Sequence, residues 1–254
     1  MARIVKEEEY LARCNEILDA ALQLVYSKGY GQMTIQDILD QLRISKGAFY
    51  HYFDSKAAVL DALVERMVVE QVKPLLLSIV RDPHLTALEK LQGYFDTTVR
   101  WKTAKKALMM ELLKVWYSDE NVLARQKMLA TMVKHVTPLF MEIIRQGVQE
   151  GVFTTPYPEI ASQIMLNLIY DLAYVSGQLF IVDHSNLVEA RQTAAWQQAE
   201  TLFAAYSDAL ERILGAPKGS IHPMSAEVLD EWFSAGGTLE KMVQEAGIPG
   251  SRNP

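Results

Sequence analysis

The chain contains a single cysteine, Cys14, among its 254 residues, so an intrachain disulfide is impossible. Residues 1–9 (MARIVKEEE) lack the apolar core of a secretory signal peptide. No apolar run approaches the ~20 residues needed to cross a bilayer, because the longest candidates, 75–80 and 164–172, are short or interrupted by polar residues. We therefore expect a soluble, cytoplasmic protein with no membrane partner.

The motifs of common enzyme classes are also missing. The sequence has no G-x-S-x-G, no P-loop and no H-E-x-x-H. Its five histidines, at 51, 84, 135, 184 and 222, are scattered without the spacing of metal ligands. We predict no catalytic residue, no metal site and no cofactor, and an enzyme is disfavoured.

Positive charge is not in excess. The formal net charge is −6, which disfavours a protein that coats nucleic acid without regard to sequence. Residues 1–66 carry eight Lys/Arg and ten Asp/Glu. Specific DNA binding remains open, but the positive potential would have to be confined to one face.

Apolar residues make up half of the chain and recur mostly at three- and four-residue intervals, as Tyr10, Cys14, Ile17 and Leu18 do. This spacing is typical of amphipathic helices, and no strand alternation is found. The sequence therefore predicts an all-α protein with a sizeable core.

Two short helical patterns meet between residues 34 and 56. Thr34 can cap the first, with Asp37 three residues on as a variant of the capping box. After a tight turn, Ser45 can cap the second, whose Phe49 and Phe53 point into the same core. This is a helix-turn-helix pattern, in which the second helix enters the major groove of DNA.

Residues 7–66 resemble the DNA-binding domain of the TetR family of bacterial transcriptional regulators. The similarity is carried by the long first helix, the Thr34-x-x-Asp37-Ile38 opening, the run from Ile44 to Phe53 (ISKGAFYHYF), and the pair Ser55-Lys56. A bare helix-turn-helix would be weak support, whereas the Ser-Lys-Gly-x-aromatic-Tyr string after a capped helix is much more specific.

The resemblance implies roles for individual positions. Groove-facing residues would be Lys46, Gly47, Ala48 and His51. Phosphate-gripping residues would be Thr34, Ser45, Tyr50, Tyr52 and Lys56. A different reading of Tyr52 and His51 is that they simply cover apolar surface.

Two positions depart from the family pattern. Leu39 stands where the family usually has Ala, which suggests a different packing of the helix pair. Arg43 stands in the turn where the family usually has Gly, so a left-handed conformation there would cost about 1 kcal/mol. Its guanidinium either reaches a phosphate or stays solvated in the turn.

We predict a DNA-binding domain at 1–54, a helical ligand-binding and dimerisation domain at 55–215, and a helical extension at 216–254. A kink or split is expected near Pro74, where a backbone hydrogen bond is lost. Large or adaptable side chains in the second domain suggest a cavity for a hydrophobic or aromatic ligand, although ordinary packing also explains each of them. These residues are Trp101, Met109, Met110, Trp116, Tyr117, Phe140, Tyr170 and Tyr174.

Two later helices, expected at 158–182 and 187–214, are apolar on more than one face. The resemblance implies that they pair with their counterparts in a homodimer, which would place two recognition helices on a near-palindromic operator. In the extension, capped helices are predicted at 225–233 and 238–246. They would pack against the ligand domain or the dimer partner, or else form a mobile tail.

The sequence therefore predicts a ligand-responsive, DNA-binding transcriptional regulator, most simply a repressor. It would bind a double-stranded DNA operator as a homodimer and be released or altered by a small hydrophobic or aromatic effector. The alternative is a helical ligand carrier or protein-binding regulator with a vestigial DNA-binding head.

Overall fold

The computed structural model describes residues 2–104, 106–181 and 194–233, with side chains from residue 8 onward except those of 107, 108 and 111. Helices and short connections account for all of these residues, and no strand occurs among them. The predicted all-α class is confirmed. The helices are α1 (Ala2–Gln32), α2 (Ile35–Leu42), α3 (Lys46–Tyr50), α4 (Lys56–Arg66), α5 (Lys73–Val80), α6 (Ala87–Thr103), α7 (Lys106–Trp116), α8 (Val122–Gln149), α9 (Pro158–Ile181), α10 (Ala194–Leu214) and α11 (Ala226–Phe233).

Two compact units divide the chain. The first contains Met1–Leu76 and Val115–Val136, and the second contains Leu77–Lys114 and Thr137–Pro254. Spatial compactness and functional division are different criteria, so the predicted domains at 1–54, 55–215 and 216–254 stay a prediction.

The short helices of the first unit begin where the sequence places their caps. The Thr34 hydroxyl accepts from the Asp37 amide, and the Asp37 carboxylate accepts from the Thr34 amide at 2.7 Å, so the capping box is present. The hydroxyls of Ser45 and Ser55 accept from the amides of Ala48 and Ala58. Each cap satisfies a backbone donor that would otherwise be orphaned at a helix start.

The first unit has its own apolar core. Its centre is formed by residues from α1 to α4 that are at most 2% exposed: Ile17, Ala21, Val25, Met33, Ile38, Phe49, Val59, Leu60, Leu63 and Val64. The cluster also contains Ala124 of α8, and Trp116 and Met128 pack against it. Residues 115–136 thus share a core with the helix-turn-helix.

The helix that follows Ser55 changes its hydrogen-bond pattern before Pro74. Met67–Val72 forms a π-helical segment, and α5 resumes at Lys73. Because Pro74 lacks an N–H, it cannot bond back to the preceding turn, and the wider π turn absorbs this loss upstream of the proline. The predicted interruption is present, but it lies at 67–72, upstream of Pro74.

In the second unit α6 and α8 run antiparallel. The Ala87 amide donates to Glu150 Oε2 at 2.9 Å, Lys90 Nζ donates to Gln146 Oε1 at 2.7 Å, and the rings of Tyr94 and Phe140 meet edge-on at 4.9 Å. Residues later in α6 therefore contact residues earlier in α8.

The described part of the C-terminal extension packs inside the second unit. Helix α11 confirms the segment predicted at 225–233, whereas 238–246 lies outside the described residues. Trp232 is 4% exposed, and its indole donates to Thr103 Oγ1 at 2.8 Å. Its ring lies 4.8 Å from that of Phe180. Among the predicted alternatives, packing against the helical ligand domain is confirmed for this helix.

Helix α9 corrects one expectation. At 24 residues with a mean hydropathy of 1.4 over its most apolar window, it is long and apolar enough to cross a membrane by length and composition. The prediction that no apolar segment approaches this length was therefore wrong, because interruptions by single polar residues do not shorten a continuous helix. Only 33% of that window is buried.

Trp232→Ala is expected to destabilise the protein by about 3–5 kcal/mol, because it removes a large buried aromatic side chain and leaves Thr103 without its donor. Urea unfolding followed by circular dichroism measures the change. Trp101→Ala is the matched control, since Trp101 is 52% exposed, and it should cost less than about 1 kcal/mol. If both variants lose the same free energy of unfolding, the extension contributes nothing to the buried core.

Candidate nucleic-acid interface

Helix α3 has five residues, too few to hold a helical shape without support. Its first turn is capped by Ser45, and its backbone continues through Phe53, whose amide donates to the Phe49 carbonyl at 3.0 Å. Phe49 is fully buried and packs 6.3 Å from Phe53, ring centre to ring centre. Burial of this one face leaves the opposite face of α3 in solvent.

Arg43 joins α2 to α3 in the left-handed conformation, with φ 54° and ψ 44°. It is the only non-glycine residue with positive φ among the described residues. The amides of Arg43 and Ile44 both donate to the Leu39 carbonyl, which closes the helix end. Leu39 is 6% exposed, so the larger side chain at this position packs into the core between the helices.

The exposed face of α3 carries most of the predicted DNA-contacting residues. Lys46, Gly47, Tyr50 and His51 are exposed, and Ala48 is half-buried. A Cβ added at Gly47 would meet no heavy atom closer than Ser45 Oγ at 4.0 Å. The backbone here is free to approach another surface closely. Thr34, Arg43 and Ser45 are also exposed.

An aromatic cluster connects the end of α3 to α1. The ring of Tyr10 lies 5.0 Å from Tyr52 and 5.9 Å from His51. Tyr52 is half-buried, whereas His51 is exposed. These contacts support the apolar-cover reading for Tyr52, and its predicted phosphate contact stays a prediction.

Lys56 is engaged within the protein. Its ammonium donates to the carbonyls of Met33 at 2.7 Å and Gly31 at 3.1 Å, and it lies 4.3 Å from the ring centre of Tyr30. Desolvation lowers the pKa of Lys56. In this structure Lys56 closes the turn between α1 and α2, and its predicted phosphate contact stays a prediction.

Residues of the 3-10 turn Asp119–Asn121 also hold the turn between α1 and α2, which the sequence did not predict. Asn121, in the 3-10 turn Asp119–Asn121, is fully buried and accepts from the Tyr30 amide at 2.8 Å while donating to the Val115 carbonyl at 2.9 Å. The neighbouring Glu120 accepts from the Gln32 side chain at 2.8 Å. In the sequence Ser-Asp-Glu-Asn reads as an ordinary surface turn, so no local signal marks it.

Two glycines allow Glu120 to pack closely against the end of α1. A Cβ on Gly31 would lie 2.0 Å from Glu120 Oε2, and a Cβ on Gly29 would lie 2.7 Å from Glu120 Cβ. Gly29 also has φ 82° and ψ 157°, a conformation that breaks α1 three residues before its end. Gly29 therefore both breaks α1 and leaves the space that Glu120 occupies.

An ion pair supports the start of α2. Lys28 Nζ lies 2.7 Å from Asp37 Oδ2. The Lys28 hydrogen bond, together with those from Thr34, lowers the pKa of Asp37 to about 2. The Asp37 carboxylate therefore stays charged at neutral pH, and its contribution to stability is full above its ordinary pKa of 3.8 and is lost as the pH falls from there through about 2.

The predicted ligand-binding residues do not gather around one described cavity. Phe140 is fully buried, Tyr170 is half-buried, and Trp101 and Tyr174 are exposed. Met109 and Met110 pack against the cluster that contains Trp232. Trp116 and Tyr117 belong to the first unit, where Trp116 packs against the helix-turn-helix core. The ligand-binding set stays a prediction.

The fold and the exposed face of α3 define a helix-turn-helix DNA-binding regulator. Two family models match the chain: "Bacterial regulatory proteins, tetR family" over residues 17–63 and "Tetracyclin repressor-like, C-terminal domain" over residues 107–197. The chain belongs to the tetR family of bacterial regulatory proteins, whose members are ligand-responsive transcriptional regulators.

Curated relatives fall into two groups by the length of their match. The transcriptional repressor KstR2 of Mycobacterium tuberculosis is 28% identical over 169 residues, which is 65% of this chain and 80% of that protein. An uncharacterised regulator of Lactococcus lactis is 47% identical, but only over 53 residues, 21% of this chain and 27% of its own length.

Solved structures share the fold at low sequence identity. Bacillus subtilis FadR, in complex with stearoyl-CoA, matches with a TM-score of 0.51 and 20% identity over 82% of this chain and 98% of its own. RolR, in complex with resorcinol, matches with a TM-score of 0.54 and 15% identity over 89% and 95% of the two chains.

Arg43→Gly is expected to stabilise the protein by about 1 kcal/mol, because glycine adopts the left-handed conformation without steric cost. Thermal unfolding measures this change. Arg43→Ala separates backbone shape from charge, since alanine keeps the strain and removes the guanidinium. If both variants lose the same stability, Arg43 contributes through contacts of its side chain and not through backbone conformation.

Proposed function

We propose that this protein is a transcriptional repressor that binds a near-palindromic operator as a homodimer and releases it when a small hydrophobic effector binds. The observation that carries the proposal is the surface of α3. A five-residue helix is capped at Ser45 and fixed from behind by Phe49, and it presents Lys46, Gly47, Tyr50 and His51 to solvent.

This surface suits the major groove in both shape and chemistry. The α3 helix begins at its exposed Ser45 cap, and the exposed Lys46 places a positive charge in its first turn. Gly47 leaves room for close approach, while the Tyr50 hydroxyl can donate to a phosphate. Because Asp and Glu outnumber Lys and Arg in residues 1–66, these few groups must supply the local attraction.

A second copy of the chain is the proposed partner of α9. Tyr157 before the helix is 69% exposed, and on the helix Ile160 is 56% and Ile164 42% exposed. Apolar side chains in such a row mark an interaction surface. A twofold pairing through α9 and α10 would present two α3 helices about one DNA turn, ~34 Å, or somewhat more apart.

The effector is proposed to bind among the helices of the second unit. FadR and RolR, which share this fold, were solved with stearoyl-CoA and resorcinol respectively, and both ligands have substantial apolar or aromatic parts. Phe140 lies fully buried in this unit beside Tyr94. An effector that binds one conformation better than another would shift the population away from the DNA-binding form.

Lys46→Ala and Tyr50→Ala are each expected to weaken binding to the protein's target DNA by about 5- to 150-fold, the cost of one or two lost contacts of 1–3 kcal/mol. Fluorescence anisotropy on DNA from upstream of the protein's own gene measures the affinity. If Lys46 contacts a phosphate, Lys46→Ala should also reduce the slope of log affinity against log salt concentration by about one.

The matched control is Lys218→Ala, which removes an exposed lysine from the second unit and should leave affinity unchanged. Unaltered DNA binding by both α3 variants would contradict the assignment of DNA contact to α3. A wild-type chain that binds no DNA would point instead to a helical ligand carrier or protein-binding regulator with a vestigial DNA-binding head.

Ile164→Glu should convert the dimer into a monomer, because a carboxylate would be buried against its own copy across the twofold axis. Sedimentation velocity at micromolar concentration measures the change. Leu123→Glu alters an apolar residue of similar exposure in the first unit and should leave the dimer intact. A wild-type protein that sediments as a monomer would refute the proposed α9 interface.

A further inference from the structure

Three aromatic side chains at the end of α3 form a closed triangle within the first unit. The ring of His51 lies 4.9 Å from that of Tyr52 and 5.9 Å from that of Tyr10, and both pairs meet at an interplanar angle of 81°. The rings of Tyr10 and Tyr52 are 5.0 Å apart. Because Tyr10 belongs to α1, the triangle joins the exposed end of α3 to a helix outside the helix-turn-helix.

This arrangement restricts the imidazole of His51. An exposed histidine without neighbours samples several staggered positions about χ1 and a broad range of χ2. Edge-to-face contacts with two rings favour one of these positions, because aromatic pairs prefer that geometry. Tyr52 follows His51 directly in the chain and shares its backbone, whereas Tyr10 approaches from α1. Tyr10 is therefore the contact that fixes the direction of the imidazole relative to the rest of the first unit.

Tyr10 projects from a helix that is itself held firmly. Cys14, one turn further along α1, packs against the core of the first unit, and Ile17 and Ala21 are fully buried in that core. The Tyr10 side chain is 39% exposed, so it lies outside the core. Its ring can thus orient a neighbour, and its loss leaves the buried core intact.

The direction of the imidazole matters because base edges are read by hydrogen bonds. A neutral imidazole has one donor nitrogen and one acceptor nitrogen, and each base pair presents a different pattern of donors and acceptors in the major groove. A ring held in one direction matches one such pattern. A ring that turns freely matches several patterns and loses more conformational entropy when it binds.

We propose that Tyr10 is a positioning residue for DNA recognition, whose ring holds the imidazole of His51 in the direction that reads one base pair of each operator half-site. Tyr10 acts through His51 and makes no base contact of its own. This inference rests on the proposed function, because it assigns part of the sequence preference of α3 to a residue of α1. The DNA-reading surface then depends on a residue outside Thr34–Lys56.

The test first identifies the base pair that His51 reads. Selection from a random DNA pool with the wild-type chain gives the preferred duplex. Fluorescence anisotropy on duplexes with single base-pair substitutions then gives the preference at each position. His51→Ala should lose about 5-fold or more of the preference at one position of each half-site and retain the preference elsewhere, the usual scale for one base contact.

Tyr10→Ala should reduce the preference at that same position by about 3-fold or more, within the range of coupling between residues in contact. In the His51→Ala background it should cause no further loss, because the ring through which it acts is already absent. Tyr10→Phe keeps the ring and should behave as the wild type. Leu11→Ala is the matched control, since Leu11 is 55% exposed beside Tyr10 and takes no part in the triangle.

The inference is overturned if no position depends on His51, or if Tyr10→Ala leaves the preference at the His51 position intact. An equal loss at every position would show a structural role only, and a defect shared by Tyr10→Phe would assign the effect to the hydroxyl; either result also overturns it. Melting temperatures check folding, and Tyr10→Leu, which keeps an apolar side chain without a ring, replaces Tyr10→Ala if that variant unfolds.

Failure of this inference can be told apart from failure of the proposed function. A wild-type chain that selects no sequence would refute both. A selected operator whose recognition is unchanged by Tyr10→Ala would refute the positioning role alone and leave the repressor function standing.

Discussion

The recognition helix depends on a contact that lies outside it. Five residues cannot maintain a helix in water, so α3 takes its shape from the Ser45 cap and from the burial of Phe49. The preceding helix, α2, follows a turn that is held by the hydrogen bond from the Tyr30 amide to Asn121. The exposed face of α3, which is the proposed DNA-reading surface, is therefore held in place by the whole first unit, including residues 115–136, and not by the helix-turn-helix alone.

Local features of the site could be predicted from the sequence because they arise from neighbouring residues. The capping box of Thr34 and Asp37, the Ser45 cap and the apolar anchors Phe49 and Phe53 all follow from spacing and side-chain chemistry. The left-handed turn at Arg43 followed from the resemblance, since the family usually has glycine there. These signals also predicted the all-α class and the family, which matching models of both regions confirm.

Long-range features could not be predicted in the same way. Nothing in the sequence near Asn121 shows that it receives an amide 91 positions away, and nothing near Lys56 shows that two carbonyls of the preceding turn occupy its ammonium. The predicted ligand-binding residues share large or adaptable side chains, but side-chain size does not show whether a residue points into a common cavity.

Selection of bound duplexes from a random DNA pool tests the central claim, that two capped α3 helices read DNA as a pair, most directly. The account predicts enrichment of one inverted repeat whose half-sites are separated by about one helical turn, ~34 Å, or somewhat more. It also predicts two chains per bound duplex, measured by mass photometry. A pool with no enriched sequence, or a single half-site bound by one chain, would contradict it.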